Sequence, residues 1–137
     1  AAEPLADLLV RVDAVDRVCI GAFSDKRITA VRARTGDRLC TSGGPREVAR
    51  LVSASRGGPG GGGLRSPCVQ VPTHQGRLPL VTRRLVDTAH RAGMQVHVWT
   101  IDDADEMARL LDLGVDGIMT DRPQVLKDVL TRRGAWA

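Results

Sequence analysis

HRAGMQVHVWTIDDADEMARLLDLGVDGIMTDRP, residues 90–123, is the stretch of sequence that decides the fold. The run Met94–Thr100 has the length and apolar character of a strand, and Asp103–Leu113 carries apolar side chains at helical spacing. Val115–Met119 is a second short apolar strand, and Pro123 suits the first turn of a further helix. A strand, a helix and a strand at this spacing predict a βαβ unit with two parallel strands.

The same alternation of strand and helix extends towards the amino terminus. The predicted strands are Arg17–Phe23, Asp37–Thr41, Pro67–Val71, Met94–Thr100 and Val115–Met119. The predicted helices are Pro4–Ala14, Asp25–Arg34, Pro45–Ser55, Pro79–Ala92, Asp103–Leu113 and Pro123–Arg132. Five strands that are each followed by a helix indicate an α/β fold with parallel strands, either layered or closed into a barrel.

The composition is that of an ordinary globular domain. A chain of 137 residues suffices for one domain with a sizeable core, and the basic residues behind its net charge of +4 are interleaved with acidic ones. That scatter argues against a nucleic-acid surface. We identify no signal peptide and no apolar stretch long enough for a membrane span. The aromatic residues are Phe23, Trp99 and Trp136, so each is a candidate for a specific role.

Three cysteines, Cys19, Cys40 and Cys68, are few and lie far apart in the sequence. None forms a CxxC pair, so the spacing argues against a zinc site and predicts buried free thiols. Free thiols favour a reducing, cytoplasmic compartment. The chain opens at Ala1 inside an amphipathic helix, so we expect that a segment upstream of it has been removed.

A glycine-rich stretch, residues 56–63, separates a predicted helix from a predicted strand. It lacks the Gly-Lys-Ser/Thr ending of a phosphate-binding loop and does not lead from a strand into a helix. We therefore interpret it as a flexible surface loop.

Two motifs in the last third of the chain resemble the carboxyl-terminal signature of the glycerophosphodiester phosphodiesterases. Val96–Asp102 (VHVWTID) is similar to a family strand that ends in Trp-Thr-Val-Asn. Gly114–Pro123 (GVDGIMTDRP) is similar to the family's Gly-Val-Asp-Gly-Ile-Ile-Thr-Asp-x-Pro. Val18–Ser24 resembles an earlier strand of the family. The chain departs from the pattern at Ala22, where Ser is usual, and at Asp102, where Asn is usual.

The resemblance implies a TIM (β/α)8 barrel. This chain, as a single partial domain over residues 1–137, would supply the fourth to eighth strand–helix units, with the first three missing. Those missing units carry the family's His-Arg-Gly motif, its Glu-x-Asp pair, its second catalytic His and its metal-binding Glu. His90–Ala92 resembles the first motif only superficially, because it lies inside a predicted helix and not at a strand end. The glutamates Glu3, Glu47 and Glu106 lie in or beside helices. We therefore expect no catalytic and no metal-ligating residue in this chain.

The activity that the resemblance implies is the hydrolysis of glycerophosphodiesters to glycerol 3-phosphate and an alcohol, in lipid and glycerol metabolism. In the family a divalent cation, Mg or Ca, polarises the phosphate while one imidazole acts as general base and another as general acid. A hard cation of this kind needs oxygen ligands, which this chain lacks at its predicted strand ends. The intact parent is expected to be the enzyme, and the chain alone is expected to be inactive.

The substrate-binding residues that the resemblance implies are Trp99 and Phe23, which follow predicted strands on the catalytic side of such a barrel. Trp99 would form a pocket wall around the glycerol end of the substrate. His97 is expected on the same face one layer deeper, as a satisfied buried histidine. Asp121 is expected to accept N–H bonds at the start of the last helix.

Five strands cannot close a barrel, and the outer two would expose unpaired backbone groups. This predicts a fragment of a longer protein whose partner is the missing barrel half or a second copy of the chain. Two alternatives stay open. The chain could be an open α/β module that binds a ligand or partner without catalysis, or a degenerate barrel domain with a structural role.

Overall fold

The computed structural model describes residues 2–59 and 62–136. The chain forms two compact units, residues 1–69 and 70–137, and each is described by itself. Two glycines of the predicted surface loop, Gly60 and Gly61, lie outside the described residues. Within the described ranges, no helix combines the length and the apolar character needed to cross a bilayer.

The first unit alternates helices with short parallel strands. Its elements are α1 (Ala2–Arg11), β1 (Cys19–Ile20), α2 (Asp25–Thr35), β2 (Cys40–Thr41) and α3 (Pro45–Ser55). β1 and β2 pair in parallel, with Cys19 opposite Cys40 and Ile20 opposite Thr41. Ser42 continues this register through a parallel bridge to Cys68.

The core of the first unit forms where α1 and α2 pack together. Its buried members are Ala6, Leu9, Ala14, Val15, Val31 and Leu39. Val18 and Ile20 of the first strand segment pack against this cluster. Side chains alternate between the two faces of a strand, so Cys19, between these two residues, points to the opposite face.

The second unit contains a three-stranded sheet and a small hairpin. Its elements are β3 (Cys68–Val71, which begins at the end of the first unit), β4 (His74–Gln75), β5 (Leu78–Pro79), α4 (Arg83–Arg91), β6 (Gln95–Val98), α5 (Ala104–Asp112), β7 (Gly117–Ile118) and α6 (Pro123–Arg132). The sheet order is β3-β6-β7, and β6 and β7 pair in parallel. Val96 and Val98 are fully buried between the sheet and its helices, as are Leu85, Ala89, Met107 and Leu110.

The predicted βαβ unit of residues 90–123 is confirmed by the parallel pairing of β6 and β7. The helices Pro45–Ser55 and Pro123–Arg132 have the predicted bounds, because each begins at a proline in its first turn. Gly93, the second residue after the end of α4, has a φ of 73°, and the following Met94 N–H donates to the Ala89 carbonyl at 2.9 Å. This is the left-handed helix end that the glycine permits.

The prediction that all strands are parallel is wrong in one place. β4 and β5 form an antiparallel hairpin, His74 opposite Pro79, in a segment where a helix was predicted to begin at Pro79. Gly76, with a φ of 59°, supplies the turn. α4 instead begins after Thr82, whose side-chain oxygen accepts the Leu85 N–H at 3.2 Å.

A buried polar network joins the helices of the first unit to its strands. The Arg32 guanidinium donates to the Thr41 hydroxyl and, at 2.8 Å, to the Ser66 hydroxyl. The Glu47 carboxylate accepts the Ser66 hydroxyl and the N–H groups of Ser66 and Arg65. Burial alone raises the pKa of Glu47, but these hydrogen bonds outweigh it and leave that pKa below its usual value. The network therefore needs Glu47 as an anion.

We expect Glu47→Gln to lower the free energy of unfolding by about 1–3 kcal/mol, because the amide cannot accept all the hydrogen bonds that the carboxylate accepts. Urea denaturation followed by circular dichroism measures the change. Glu3→Gln is the matched control, since Glu3 is exposed and about 0–1 kcal/mol is the usual worth of a surface ion pair such as its 3.5 Å contact with Arg34. Equal losses in the two variants would contradict the role given to Glu47.

The same carboxylate predicts a pH dependence. Because the folded pKa of Glu47 is lowered, its stabilisation is complete above the unfolded pKa of about 4.3 and is lost as pH falls through the folded pKa. The stability difference between the wild-type chain and Glu47→Gln should therefore shrink as pH falls from about 6 to about 3. A difference that stays constant over this range would show that the anion is not what the network stabilises.

Candidate functional site

The loops that follow the strands are the candidate functional surface, because binding residues of β/α folds come from the carboxyl ends of strands. Trp99 follows β6 directly and is half-buried. The backbone N–H of Trp99 donates to the Val71 carbonyl at 3.2 Å, so the neighbouring strand β3 holds the backbone that carries the indole. The peptide bond from Trp99 to Thr100 is cis. Trp99 therefore lies at a strand end, as the sequence predicted.

Asp102 fastens the loop after β6 to the loop after β7. Its carboxylate accepts the Thr120 hydroxyl at 2.8 Å and the Asp121 N–H at 2.9 Å. The Arg122 N–H in turn donates to the Thr120 hydroxyl at 2.9 Å. The Ile101 N–H adds a backbone bond to the Met119 carbonyl at 3.0 Å. These bonds fix the path of the chain on both sides of the indole-bearing loop.

The expectation that Asp121 accepts hydrogen bonds at the start of the last helix is wrong. α6 begins after Arg122 with no side-chain cap, and Asp121 is exposed and contributes its N–H as a donor. The acceptors at this helix start are Asp102 and Thr120 instead. The carboxylate at position 102 thus has a structural task at the site.

Phe23 lies three residues beyond β1 and is 85% exposed, the largest exposure among the large apolar side chains. It borders a groove formed at the starts of α2 and α3, whose lining residues are Phe23, Ser24, Asp25, Lys26, Thr29, Ala30, Ala33, Pro45 and Arg46. The Ser24 side chain accepts the Arg27 N–H and caps α2. Two helix amino termini and the cations Lys26 and Arg46 border the groove, but the Asp25 carboxylate also lines it, lies 3.9 Å from the Arg46 guanidinium and accepts the Arg46 N–H at 3.3 Å.

His97 lies on β6 opposite Gly117 of β7. A Cβ atom at position 117 would lie 2.8 Å from Cδ2 of the imidazole, so the glycine leaves room for the ring. The ring Nε2 is 3.3 Å from Oε1 of Gln95, and the residue is half-exposed. The expectation of a buried histidine is therefore wrong for this chain.

Of the other two histidines, His74 lies on the hairpin that follows β3, whereas His90 lies near the end of α4. His90 Nε2 is 2.9 Å from Oδ2 of Asp116, which also accepts the Val96 N–H at 2.8 Å. This arrangement ties the end of α4 to the loop before β7. His74 is exposed on the hairpin. The hydrogen bond from Arg109 is the main cause that lowers the pKa of Glu106, and the charge of His74 adds to that lowering.

Among the described residues, carboxylates do not gather into a group of three possible metal ligands. The glutamates Glu3, Glu47 and Glu106 lie in α1, α3 and α5, as predicted, and Glu47 is committed to the buried network. Within the described ranges, one group of possible metal ligands comes together, and it consists of thiols. Mg²⁺ and Ca²⁺ bind oxygen ligands, so these residues do not fit the cation that the family resemblance implies.

That group is formed by Cys19, Cys40 and Cys68, whose sulfur atoms all lie within 4.8 Å of one another. The sulfurs of Cys19 and Cys68 are 3.6 Å apart. The three thiols are free, and burial raises their pKa values. The expectation that they are too far apart for a zinc site is wrong in space, and Cys19 is exposed rather than buried. Each cysteine is the first residue of one of three consecutive strands. This pattern could have indicated the cluster, whereas the spacing of the cysteines in the sequence does not.

Known proteins resemble the chain as follows. Residues 63–125 match the model of the glycerophosphoryl diester phosphodiesterase family. The chain is 39% identical to the probable glycerophosphodiester phosphodiesterase 2 of Mycobacterium tuberculosis, over 99% of this chain and 53% of that protein. It is 41% identical to lysophospholipase D GDPD1 of Mus musculus, over 41% of this chain and 18% of that protein.

A solved structure shares the fold. The crystal structure of a glycerophosphodiester phosphodiesterase from Parabacteroides distasonis superposes with a TM-score of 0.67 at 20% identity, over 98% of this chain and 51% of that one. The chain thus spans about half the length of this structure and of the mycobacterial relative. The family resemblance seen in the sequence is confirmed.

The anchor at Asp102 yields a prediction with a built-in comparison. Asp102→Ala removes the acceptor of two hydrogen bonds and should cost about 1–3 kcal/mol of unfolding free energy, whereas Asp102→Asn keeps one acceptor oxygen and should cost less than about 1 kcal/mol. Hydrogen exchange of the Asp121 amide should accelerate, relative to neighbouring amides, in Asp102→Ala alone. Asp103→Ala, which removes the cap of α5, is the control that should destabilise without this local effect. An Asp121 amide that stays protected in Asp102→Ala would contradict the anchor.

Proposed function

We propose that this chain belongs to the glycerophosphodiester phosphodiesterase family and is part of an enzyme that hydrolyses glycerophosphodiesters to glycerol 3-phosphate and an alcohol. The observation that carries the proposal is the family match over residues 63–125, which includes Trp99 and the loop that Asp102 anchors. In this proposal the chain supplies the fourth to eighth strand–helix units of a barrel. The products and the metal dependence belong to the proposal as well.

Trp99 would bind substrate through its indole, which offers a large apolar surface with one N–H donor. Glycerol carbons would pack on the ring, and its position at a strand end would leave the phosphate nearer to the centre of the barrel. The hydrogen bonds of Asp102 would hold the loop in place, so that the ring is ordered before substrate arrives. Phe23 would provide a second apolar surface at the end of β1.

The groove at Phe23 supports a contribution to anion binding. Lys26 and Arg46 border it, the Asp25 carboxylate offsets one of these two charges, and the amino termini of α2 and α3 add their partial positive charge. The Lys26 ammonium and the helix amino termini would attract a phosphodiester without taking part in proton transfer.

Proton transfer requires a general base and a general acid, and only one histidine of this chain, His74 on the hairpin, follows the carboxyl end of a strand. Of the three histidines, His90 is bound to Asp116, His97 lies next to Gln95 and His74 lies on the hairpin. A general base and a general acid on opposite sides of the phosphorus would therefore come from a segment of the enzyme outside these 137 residues, as would the oxygen ligands of the cation. The chain alone would then be inactive.

A chimera tests this division of roles. The chain is fused to the part of the mycobacterial relative that it does not cover, and glycerol 3-phosphate release from glycerophosphocholine is followed with Mg²⁺ or Ca²⁺ present. We expect turnover by the chimera and none by the chain alone. Trp99→Ala in the chimera should lower kcat/KM at least about tenfold, chiefly through KM, because it removes a binding surface rather than a proton donor.

Trp136→Ala is the matched control for this substitution. Trp136 is half-exposed near the carboxyl terminus, with the Lys127 ammonium 5.9 Å from its ring centre, and lies outside the proposed site. Its variant should keep the kcat/KM of the chimera. Turnover by the chain alone would contradict the proposed origin of the acid, base and metal ligands. Equal effects of the two tryptophan variants would contradict the role of Trp99.

A further inference from the structure

The three cysteines meet because of strand register. Cys19 and Cys40 are in-register partners on the parallel strands β1 and β2. Cys68 begins β3, opposite Ser42, and its carbonyl accepts the Gly43 N–H at 2.8 Å. Each cysteine is the first residue of its strand, and the parallel register places Cys68 level with Ser42, two residues beyond Cys40.

The polar network of Arg32 and Glu47 holds the chain next to two of the three cysteines. Thr41, which follows Cys40, and Ser66, two residues before Cys68, are both buried and both accept hydrogen bonds from Arg32. Glu47 fixes the Ser66 hydroxyl and N–H as well. Two of the three cysteines are therefore flanked by residues of one rigid polar network, which keeps their Cα positions close before any ligand binds.

The spacing of the sulfur atoms is that of a metal–thiolate site. Two sulfurs that each lie about 2.3 Å from a tetrahedral Zn²⁺ are about 3.8 Å apart. The Cys19 and Cys68 sulfurs are 3.6 Å apart, and every pair in the cluster lies within 4.8 Å. Small rotations about χ1 would bring all three to the coordination distance. Cys68 is buried and Cys19 is exposed, so an ion would have a way in and solvent would have access to one coordination position.

We propose that Cys19, Cys40 and Cys68 bind one Zn²⁺ ion through three thiolates, with water as the fourth ligand. Thiolates prefer borderline and soft ions such as zinc over Mg²⁺ and Ca²⁺. On binding, each thiol releases its proton to solvent as its sulfur takes up the metal. The ion would join β1, β2 and the start of β3. The site uses none of the residues on which the proposed phosphodiesterase function rests.

Cobalt(II) is the probe for this site, because it takes the place of zinc and absorbs light when sulfur ligates it. The fully reduced chain, with three thiols counted beforehand, is titrated anaerobically with Co²⁺ and then with Zn²⁺. We expect one equivalent of Co²⁺ to give sulfur-to-cobalt charge-transfer absorption and the visible bands of tetrahedral geometry, and Zn²⁺ to remove both. Zn²⁺ should also raise the midpoint of thermal unfolding.

Each single Cys→Ser variant should lose more Co²⁺ affinity than the roughly 10–100-fold that loss of an outer-shell partner costs, because a direct ligand is removed. His74→Gln is the control, since it removes an exposed imidazole that could bind cobalt adventitiously, and it should leave the spectrum unchanged. Circular dichroism of the metal-free variants checks their folding. If a variant does not fold, the wild-type spectrum still decides, because these are the chain's three cysteines.

Two results would overturn the proposal. One is the absence of charge-transfer absorption when the concentrations of the chain and of Co²⁺ are both far above the dissociation constant expected for a thiolate site. The other is cobalt binding that survives replacement of all three cysteines. None of these readouts involves phosphodiester hydrolysis, so failure here and failure of the proposed function are separate outcomes.

Discussion

Parallel pairing of very short strands is the constraint on which the rest of this molecule depends. Two-residue strands such as β1, β2 and β7 contribute few ladder hydrogen bonds of their own. Their alignment is completed by side chains outside the ladder: Arg32 and Glu47 in the first unit, and Asp102 in the second. Because register decides which residues become neighbours, these polar anchors determine the composition of both candidate sites.

Much of the fold could be predicted from the sequence, and the reasons are local. Prolines at Pro45 and Pro123 mark helix starts, and apolar runs mark the strands. The predicted strands are too long, because the apolar run Arg17–Phe23 extends beyond Cys19–Ile20, the two residues that pair. The hairpin at His74–Pro79 could not be predicted, because strands of two residues are too short to show a periodic pattern. Pro79 also fits the start of a helix as well as the end of a strand.

The candidate sites show the same division. Trp99 could be placed at a strand end because the strand before it is strongly apolar. The acceptor at the start of α6 was assigned to Asp121, the nearest carboxylate in sequence, whereas the structure uses Asp102 from the preceding loop. The spacing of the cysteines in the sequence predicted separate thiols, whereas the register of the parallel strands brings them together. In both failures a long-range contact replaced a local one, and local patterns carry no information about such contacts.

The glycine opposite His97 has a consequence for how this sequence can vary. Since a Cβ at position 117 would lie 2.8 Å from Cδ2 of the imidazole, any other residue at this glycine of the Gly-Val-Asp-Gly motif would require the His97 side chain to move. Substitutions at positions 97 and 117 are therefore coupled. A larger residue becomes acceptable at 117 when a small one occupies 97, and related chains should show the two positions exchanging volume across the strand pair.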